Sequence, residues 1–247
     1  MPHRISSLCQ AALDYAAHGW RVIPLYHLRD GGCTCRKGHA CLSAGKHPPI
    51  EDWGIQASTD PAIIVDWWHR RPHANIGIVT GVGSGVVVID VDPRHGGDLN
   101  LEDLQQMYAR LPETPIVLSG GDGQHYYFAC ADPVPSCDLA HGIQFQTDAH
   151  LVVAPPSLHA SGKQYCWELS HEWDEIPLAP LPEWVRALAL MHADEDQAPL
   201  WTGDATLPSV ALDELRVSSR IKAVIQTGGD PTMPTRYPSR SEALSAV

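Results

Sequence analysis

The sequence predicts an α+β fold with a mixed or antiparallel sheet. Helical patterns occur early in the chain and between the first strands, whereas the second half consists of short strands separated by turns. The chain has 247 residues, 44% of them apolar, so it can bury a sizeable core.

The first half of the chain combines helices and strands. Residues 6–18 carry apolar side chains at helical spacing, with Ser6 as the N-cap and Gly19 as the stop. Asp60 followed by Pro61 predicts the start of a second helix, because a capping residue and a first-turn proline are favoured there. The other elements predicted here are strands at 21–25, 76–80 and 86–91, a glycine turn at 81–85, a helix at 99–111, and a Cys/His/Gly loop at 31–49.

The second half is predicted to be mostly strands. Their ranges are 115–118, 124–130, 142–146, 151–154 and 164–168. Proline and acidic residues recur from 177 to 206, which is typical of a tether, and helices are predicted at 209–226 and from Ser239 onward. We therefore expect a domain at 1–190, a linker at 191–208, and at 209–247 the start of a helical segment that continues in a longer protein.

The charge of the chain is negative overall but uneven. The net charge is -12, yet residues 1–50 hold six Lys/Arg against two Asp/Glu, residues 51–215 six against twenty-five, and residues 216–247 five against two. Arg36, Lys37 and Lys46 lie in the Cys/His loop, where they could meet nucleic-acid phosphates, with metal ions screening the acidic centre. The overall sign therefore excludes few function classes.

Membrane segments are not expected. No apolar run approaches the roughly 20 residues that a transmembrane helix needs, and residues 1–20 lack the apolar stretch of a signal peptide. We therefore expect a soluble cytoplasmic protein without a membrane partner.

The Cys/His loop contains a candidate zinc site. Its ligands would be Cys33, Cys35, Cys41 and His47, with His39 as a rival fourth ligand. Three thiolates and an imidazole form a usual tetrahedral set for structural Zn²⁺, and clustered cysteines in an intracellular chain favour metal over disulfides. The alternative is a flexible loop of free thiols.

A short apolar strand ends in two carboxylates. Residues 86–89 are β-branched and lie between a glycine and a proline-containing turn, a pattern typical of a buried strand. Asp90 and Asp92 are two positions apart, so both should leave the sheet on the same face. Two adjacent anions repel unless a cation lies between them, and hard oxygen ligands suit Mg²⁺ or Mn²⁺. The alternative is a strand that ends in a polar turn.

A glycine-rich turn precedes the next long strand. Glycines at 120, 121 and 123 let the backbone approach a ligand and direct its N–H groups toward phosphate. His125, at the mouth of the strand, could donate to the same phosphates. The alternative is a hairpin turn with a half-buried histidine.

A third polar segment runs from 142 to 167. Gln144 and Gln146 alternate with apolar residues, which predicts a strand with one apolar face, and a Pro-Pro-Ser corner follows at 155–157. Lys163 is the sole Lys/Arg between Arg110 and Arg186. A lone cation in an acidic region suggests a phosphate contact, although a solvated surface lysine would look the same.

The order of these motifs resembles a known family. DxD after an apolar strand, GxH before an aromatic strand, and a strand leading into APPS…H.SG..Y.W are similar to the prim-pol domain of the archaeo-eukaryotic primase superfamily, in the form carried by phage and plasmid replication proteins. ALDYAAHGWRVIPL and GKHP near the start, and RYPSRSEA near the end, look like the same family. The resemblance thus covers nearly the whole chain.

The resemblance implies template-dependent synthesis of a primer or longer strand. The expected partners are a single-stranded DNA template, nucleoside triphosphates and a helicase domain further along the full-length protein. The expected fold has an α/β N-terminal unit and an RRM-like unit, with the active site between them. The resemblance places the catalytic domain at residues 1–190. If the protein is encoded by a phage, it would act in the cytoplasm of the host cell.

The resemblance also implies the site residues. Asp90 and Asp92 would hold two Mg²⁺ or Mn²⁺ ions, and His125 would contact the triphosphate of the incoming nucleotide. The nucleotide-binding set would comprise Ser119, Gly123, Gln124, His125, Ser157, His159 and Lys163.

One position departs from the family pattern. A third acidic ligand is expected on the strand before APPS, where this chain has Gln144. An amide offers one neutral oxygen instead of two charged ones, and we do not expect Asp148, in the following turn, to substitute. Weak polymerisation, a divergence compensated elsewhere, or a deliberate acid-to-amide exchange would each explain Gln144.

Two other functions are suggested by Gln144, which replaces the expected third acid, and by the pair Asp90 and Asp92. The first is a catalytically weak or silent module that binds nucleotide or single-stranded DNA. The second is a metal-dependent nuclease, which the glycine turn and His125 make less favoured because they suit a triphosphate better than a scissile diester.

Overall fold

A computed structural model describes residues 5–197 and confirms the mixed helix and sheet architecture. Its helices are α1 (Ser7–Ala17), α2 (Trp53–Gln56), α3 (Pro61–Arg70), α4 (Gly97–Met107) and α5 (Glu183–Gln197). Its strands are β1 (Val22–Leu25), β2 (Leu28–Arg29), β3 (Gly32–Cys33), β4 (Asn75–Val79), β5 (Val86–Val91), β6 (Ile116–Leu118), β7 (Gln124–Ala129), β8 (Cys137–Ala140), β9 (Ile143–Gln146), β10 (Leu151–Ala154), β11 (Cys166–Trp167) and β12 (Ala179–Pro180). Among these helices, none is both long and apolar enough to cross a bilayer.

A three-stranded antiparallel sheet has the order β1-β4-β10 and shares a hydrophobic core with α1 and α3. The predicted helix starts are confirmed, since Ser6 Oγ accepts a hydrogen bond from Cys9 N at 3.2 Å and Asp60 Oδ1 accepts one from Ala62 N at 2.8 Å. These caps satisfy N–H groups that have no partner within the helix.

The larger sheet has the order β11-β6-β7-β5-β9-β8, and β12 pairs with β7. All its pairs are antiparallel except the parallel β12–β7 pair. Val87, Ile89 and Val91 of β5 face a core shared with α4 and α5. Val86 and Val88 face the core shared with α1 and α3. Because strand side chains alternate, Asp90 lies on the face of Val86 and Val88, beyond the point where that core ends.

Several elements differ from the sequence-based prediction. The tether interpretation of 177–206 is wrong where β12 and α5 occur, and the predicted linker at 191–208 overlaps the last residues of α5. The strand β8 is also additional. The helix α4 begins and ends earlier than predicted, and beyond its end Gln105 Oε1 accepts a hydrogen bond from Leu111 N at 2.9 Å. The helices predicted at 209–226 and from Ser239 lie outside the described residues, and the proposed domain boundaries stay predictions.

Candidate functional site

A row of polar side chains crosses the centre of the larger sheet. Asp90 of β5 lies opposite His125 of β7 on one side and opposite Gln144 of β9 on the other. Directly opposed residues share a face, so these three side chains point the same way. The His125 Nε2 atom lies 3.5 Å from Asp90 Oδ1. Strand register thus brings together residues that are far apart in the sequence.

Asp92 follows β5 and is held by its own neighbours. Its carboxylate accepts hydrogen bonds from Arg94 N at 3.0 Å, Arg94 Nε at 3.0 Å and Arg94 Nη2 at 2.8 Å, and lies 3.0 Å from His95 Nδ1. The Arg94 guanidinium, assisted by the Arg94 N–H and His95, lowers the pKa of Asp92 to about 2 despite partial burial. Asp92 therefore remains ionised, with the positively charged guanidinium of Arg94 beside it.

The backbone around Asp92 is fixed against the start of β9. Asp92 N donates to Gly142 O at 2.8 Å. A Cβ at Gly97 would lie 2.2 Å from that same carbonyl oxygen, so a larger residue cannot be accommodated there without a backbone shift. This close approach fixes Asp92 beside the strand that carries Gln144.

His125 is buried and incompletely paired. It is 6% exposed, and its Nδ1 atom has no hydrogen-bond partner among residues 5–193, whose side chains the structure describes. Burial lowers the pKa of His125, although the negative charge of Asp90 acts in the opposite direction. A neutral imidazole beside a carboxylate can donate to, or accept from, a bound group.

The glycine turn lies beside this row. Ser119 Oγ accepts a hydrogen bond from Gly123 N at 3.0 Å, and Ser119 N donates to Gly123 O at 2.8 Å. Gly120 packs on His159, since a Cβ at Gly120 would lie 2.4 Å from the His159 Cβ. The turn therefore needs glycine for close packing against His159 as well as for any ligand.

His159 lies under the glycine turn and carries a shifted pKa. Burial, together with the positive charges of Lys46 and Arg94, lowers the pKa of His159. Both cations line the same cavity as His159. Two cations therefore lie close to His159, in a cavity whose wall also holds the carboxylates of Asp90 and Asp92.

These groups surround one cavity of about 600 Å³. Seven of the predicted site residues line it, namely Asp90, Asp92, Ser119, Gly123, His125, Gln144 and His159. The volume is within the range of ordinary ligand pockets. The row of carboxylate, imidazole and amide thus faces a space that can hold a small molecule.

Three predicted nucleotide-binding residues do not line this cavity. Ser157 is fully buried, and its Oγ accepts a hydrogen bond from Ile76 N at 2.8 Å, which ties the Pro-Pro-Ser corner to β4. Gln124 Oε1 accepts from Tyr126 OH at 2.6 Å, and Lys163 Nζ pairs with Asp122 at 2.9 Å. These contacts give each side chain a partner within the protein.

The cavity wall also includes residues that the sequence-based prediction missed. They include Arg94, His95, Asp138 and Tyr165. For Arg94 and His95, the sequence does contain a signal, which is their position directly after the DxD motif. The sequence contains no such signal for Asp138, because it does not predict the strand β8.

A second cluster of ligand atoms lies in the Cys/His loop. Cys33, Cys35, Cys41 and His47 each contribute one atom, all within 4.8 Å of one another, and could hold a metal ion. Across residues 5–193, whose side chains the structure describes, this is the one group of three or more His, Cys, Asp or Glu that meets this distance. His39 is outside it, with its ring against Gly32. The geometry therefore favours His47 over His39.

The thiol of Cys35 differs from an ordinary cysteine. Desolvation acts to raise the pKa of Cys35, but hydrogen bonds from the Lys37 backbone and from Cys33, Cys41 and His47 outweigh it and lower this pKa to about 6. A thiolate is the form of cysteine that binds metal. The loop thus presents the donor chemistry of a metal site.

Comparison with known protein families gives a match to the part of the chain that contains these site residues. The family model Prim-Pol, described as bifunctional DNA primase/polymerase, N-terminal, matches residues 12–184. No curated protein matches the chain. The matched range contains the polar row, the glycine turn, the cavity residues His159 and Arg94, and the Cys/His cluster.

Proposed function

The chain belongs to the Prim-Pol family of bifunctional DNA primase/polymerase N-terminal domains, and from this membership we propose that it catalyses template-dependent DNA synthesis from nucleoside triphosphates in the cavity at the end of β5. The observation that carries the proposal is the row of His125, Asp90 and Gln144 in the wall of a cavity that also contains Asp92 and the glycine turn. Family membership supports the reaction class, and the row supports its location.

The donor atoms in this wall fit hard divalent cations. Carboxylate and amide oxygens are ligands that suit Mg²⁺ and Mn²⁺. Asp90 and Asp92 would hold two such ions, with the Gln144 amide oxygen at the third position. When bound, the ions supply activation of the attacking hydroxyl and charge stabilisation of the pyrophosphate leaving group. The Arg94 guanidinium pairs with Asp92 at 2.8 Å, and His95 Nδ1 lies 3.0 Å from the same carboxylate.

The triphosphate would lie along the glycine turn. The Ser119 hydroxyl can donate there, since its oxygen accepts from Gly123 N, and the neutral imidazoles of His125 and His159 can donate to phosphate oxygens. Arg94 lies near the turn, since a Cβ on Gly121 would be 3.6 Å from its Cζ. Arg94 can therefore reach both Asp92 and a phosphate, and charge-assisted pairing with phosphate is strong.

The template would meet the positively charged N-terminal segment. Lys46 lines the cavity, and Arg36 and Lys37 lie in the Cys/His loop. In this proposal the three-stranded sheet with α1 and α3 forms one half of a two-part core, and the larger sheet forms the RRM-like half. A phage or plasmid origin and a helicase domain in the full-length protein rest on the resemblance of the motif order.

The Cys/His cluster would hold structural zinc. Three thiolates and one imidazole form a tetrahedral Zn²⁺ site with no open position. Around the cluster the loop contains the short hairpin β2–β3 and one 3₁₀ turn at Gly38–Ala40. So little regular structure makes a metal an important constraint on the loop.

Replacement of Cys35 by Ser should therefore remove the metal and destabilise the loop. We expect the zinc content to fall from about one ion per chain to almost none, because a four-ligand site loses a thiolate. The measurement is metal content by mass spectrometry together with thermal unfolding. Cys166→Ser, at an exposed cysteine outside the cluster, is the matched control. Retention of one zinc ion per chain by Cys35→Ser would rule this site out.

The function is tested by nucleotide incorporation. The protein is incubated with a single-stranded template, with or without a primer, a labelled nucleoside triphosphate, and Mn²⁺ or Mg²⁺. We expect products whose sequence follows the template, with release of pyrophosphate. Nucleotide or DNA binding without pyrophosphate release would contradict the proposal in favour of a silent binding module. Degradation of DNA without nucleotides would instead indicate a nuclease.

A further inference from the structure

The polar row extends one strand beyond Gln144. Asp138 of β8 lies directly opposite Gln144 in the register of the sheet, so it shares the face of Gln144, Asp90 and His125. The Gln144 Nε2 atom donates a hydrogen bond to Asp138 Oδ1 at 3.2 Å. The carboxylate that the third position lacks is therefore present on the neighbouring strand.

A β-bulge gives Asp138 this orientation. The register between β8 and β9 shifts between Asp138 and Ala140, which leaves Leu139 as the extra residue. Leu139 is buried in the core shared with α4 and α5, whereas Asp138 is exposed and lines the cavity. Bulges near active sites commonly redirect a side chain in this way.

The hydrogen bonds of Gln144 also define the orientation of its amide. Its nitrogen points to Asp138, and its oxygen accepts a hydrogen bond from Gln146 Nε2 at 3.2 Å. An amide oxygen has two lone pairs, so one remains for a cation. At the other end of the row, the buried His125 Nδ1 lacks a partner among the described residues. The Gln144 amide oxygen thus keeps binding capacity for a cation on the β9 side of Asp90.

We propose that Asp138 is a positioning residue of the cation site, which holds the Gln144 amide with its oxygen available and supplies from β8 the negative charge that Gln144 lacks. Because this inference rests on the proposed function, it concerns the same cavity and the same divalent cations. A solvated acid that protects an edge strand would be the simpler interpretation of Asp138. The direct hydrogen bond to Gln144 and the shared cavity distinguish it from such a residue.

The test is the affinity of the protein for Mn²⁺ without nucleotide, measured by titration followed by electron paramagnetic resonance. Asp138→Asn keeps the shape of the side chain and an oxygen that can accept from Gln144, so it removes chiefly the charge. We expect the Mn²⁺ affinity to fall about 10–100-fold, the usual effect of losing an outer partner of a metal ligand. Asp103→Asn, on the exposed face of α4, makes the same charge change outside the cavity and should leave the affinity unchanged.

A second variant tests whether charge is the cause. Adding Gln144→Glu to Asp138→Asn places the carboxylate on β9, and we expect the Mn²⁺ affinity to return to within about threefold of the original, a non-additive pair typical of contacting residues. Unchanged affinity in Asp138→Asn, or loss without rescue in the double variant, would overturn the inference. If Asp90→Asn also leaves Mn²⁺ binding unchanged, the cavity is not the cation site and the location of the proposed function fails as well.

Discussion

Replacement of Asp90 by Asn is expected to lower the rate of nucleotide incorporation by about 10³-fold. Asp90 lies at the centre of the polar row, between His125 and Gln144. Metal ions supply several kcal/mol of charge stabilisation in such reactions, and a factor of 10³ corresponds to about 4 kcal/mol in the activation free energy. The measurement is single-turnover extension of a labelled primer at saturating Mn²⁺ and nucleotide.

Two comparisons make the Asp90 result specific. Asp103→Asn, the exposed control, should extend the primer at the original rate, and the thermal unfolding temperature of Asp90→Asn should stay close to that of the unmodified protein. Asparagine has nearly the shape of aspartate, so a folded but inactive protein is expected. Primer extension by Asp90→Asn at more than about a tenth of the original rate would place the reaction elsewhere.

Replacement of Trp20 by Ala should cause the largest loss of stability among these variants. Trp20 is 2% exposed and stacks on Tyr15 and Tyr127, with ring centroids 5.8 Å and 5.6 Å apart. It also contacts Trp167 of the edge strand β11, and Trp173. Removing a buried tryptophan from such a cluster costs about 3–5 kcal/mol in the free energy of unfolding.

Urea denaturation followed by circular dichroism measures this change. Trp53→Ala provides a control, because Trp53 is only partly buried at the margin of the same core and should cost less. A loss below about 1 kcal/mol for Trp20→Ala would show that the aromatic cluster does not hold α1 and the two sheets together.

Local sequence patterns were sufficient to predict the early helices and the central strands. Ser6 and Asp60 act as caps in the structure, and the β-branched run before Asp90 forms β5. The sequence-based prediction does not include α5, because the prolines and acidic residues around this helix indicate a tether, and that indication outweighed the apolar periodicity of the helix. Val185 and Ala189 recur at helical spacing and are buried, so periodicity alone could have identified it.

The short strands depend on tertiary pairing instead. The strand β12 consists of two residues, Ala179 and Pro180, that pair with the end of β7, and β8 contains a bulge that interrupts alternation. Neither feature leaves a periodic pattern over enough residues to be recognised. Their positions follow from the sheet to which they are added.

The sequence predicts those features of the candidate site that depend on neighbouring residues within a single strand. Strand alternation predicts that Asp90 and Asp92 leave β5 on the same face, and both side chains line the cavity. The pairing of Asp90 with His125 and Gln144 is a matter of long-range register, which the sequence pattern of a single strand does not determine. For the same reason the sequence does not identify Asp138 as a site residue, although Asp138 contacts the candidate site residue Gln144.

The assignment of this cavity as the site of nucleotide transfer is tested most directly by a crystal structure with Mn²⁺ and a nonhydrolysable deoxynucleoside triphosphate. Anomalous scattering would locate the ions independently of the protein. We predict Mn²⁺ peaks against the carboxylates of Asp90 and Asp92, with the triphosphate along the turn from Ser119 to Gly123 and beside His125. A nucleotide bound elsewhere, or a cavity without Mn²⁺ peaks while nucleotide is present, would contradict the assignment of this cavity as the site of nucleotide transfer.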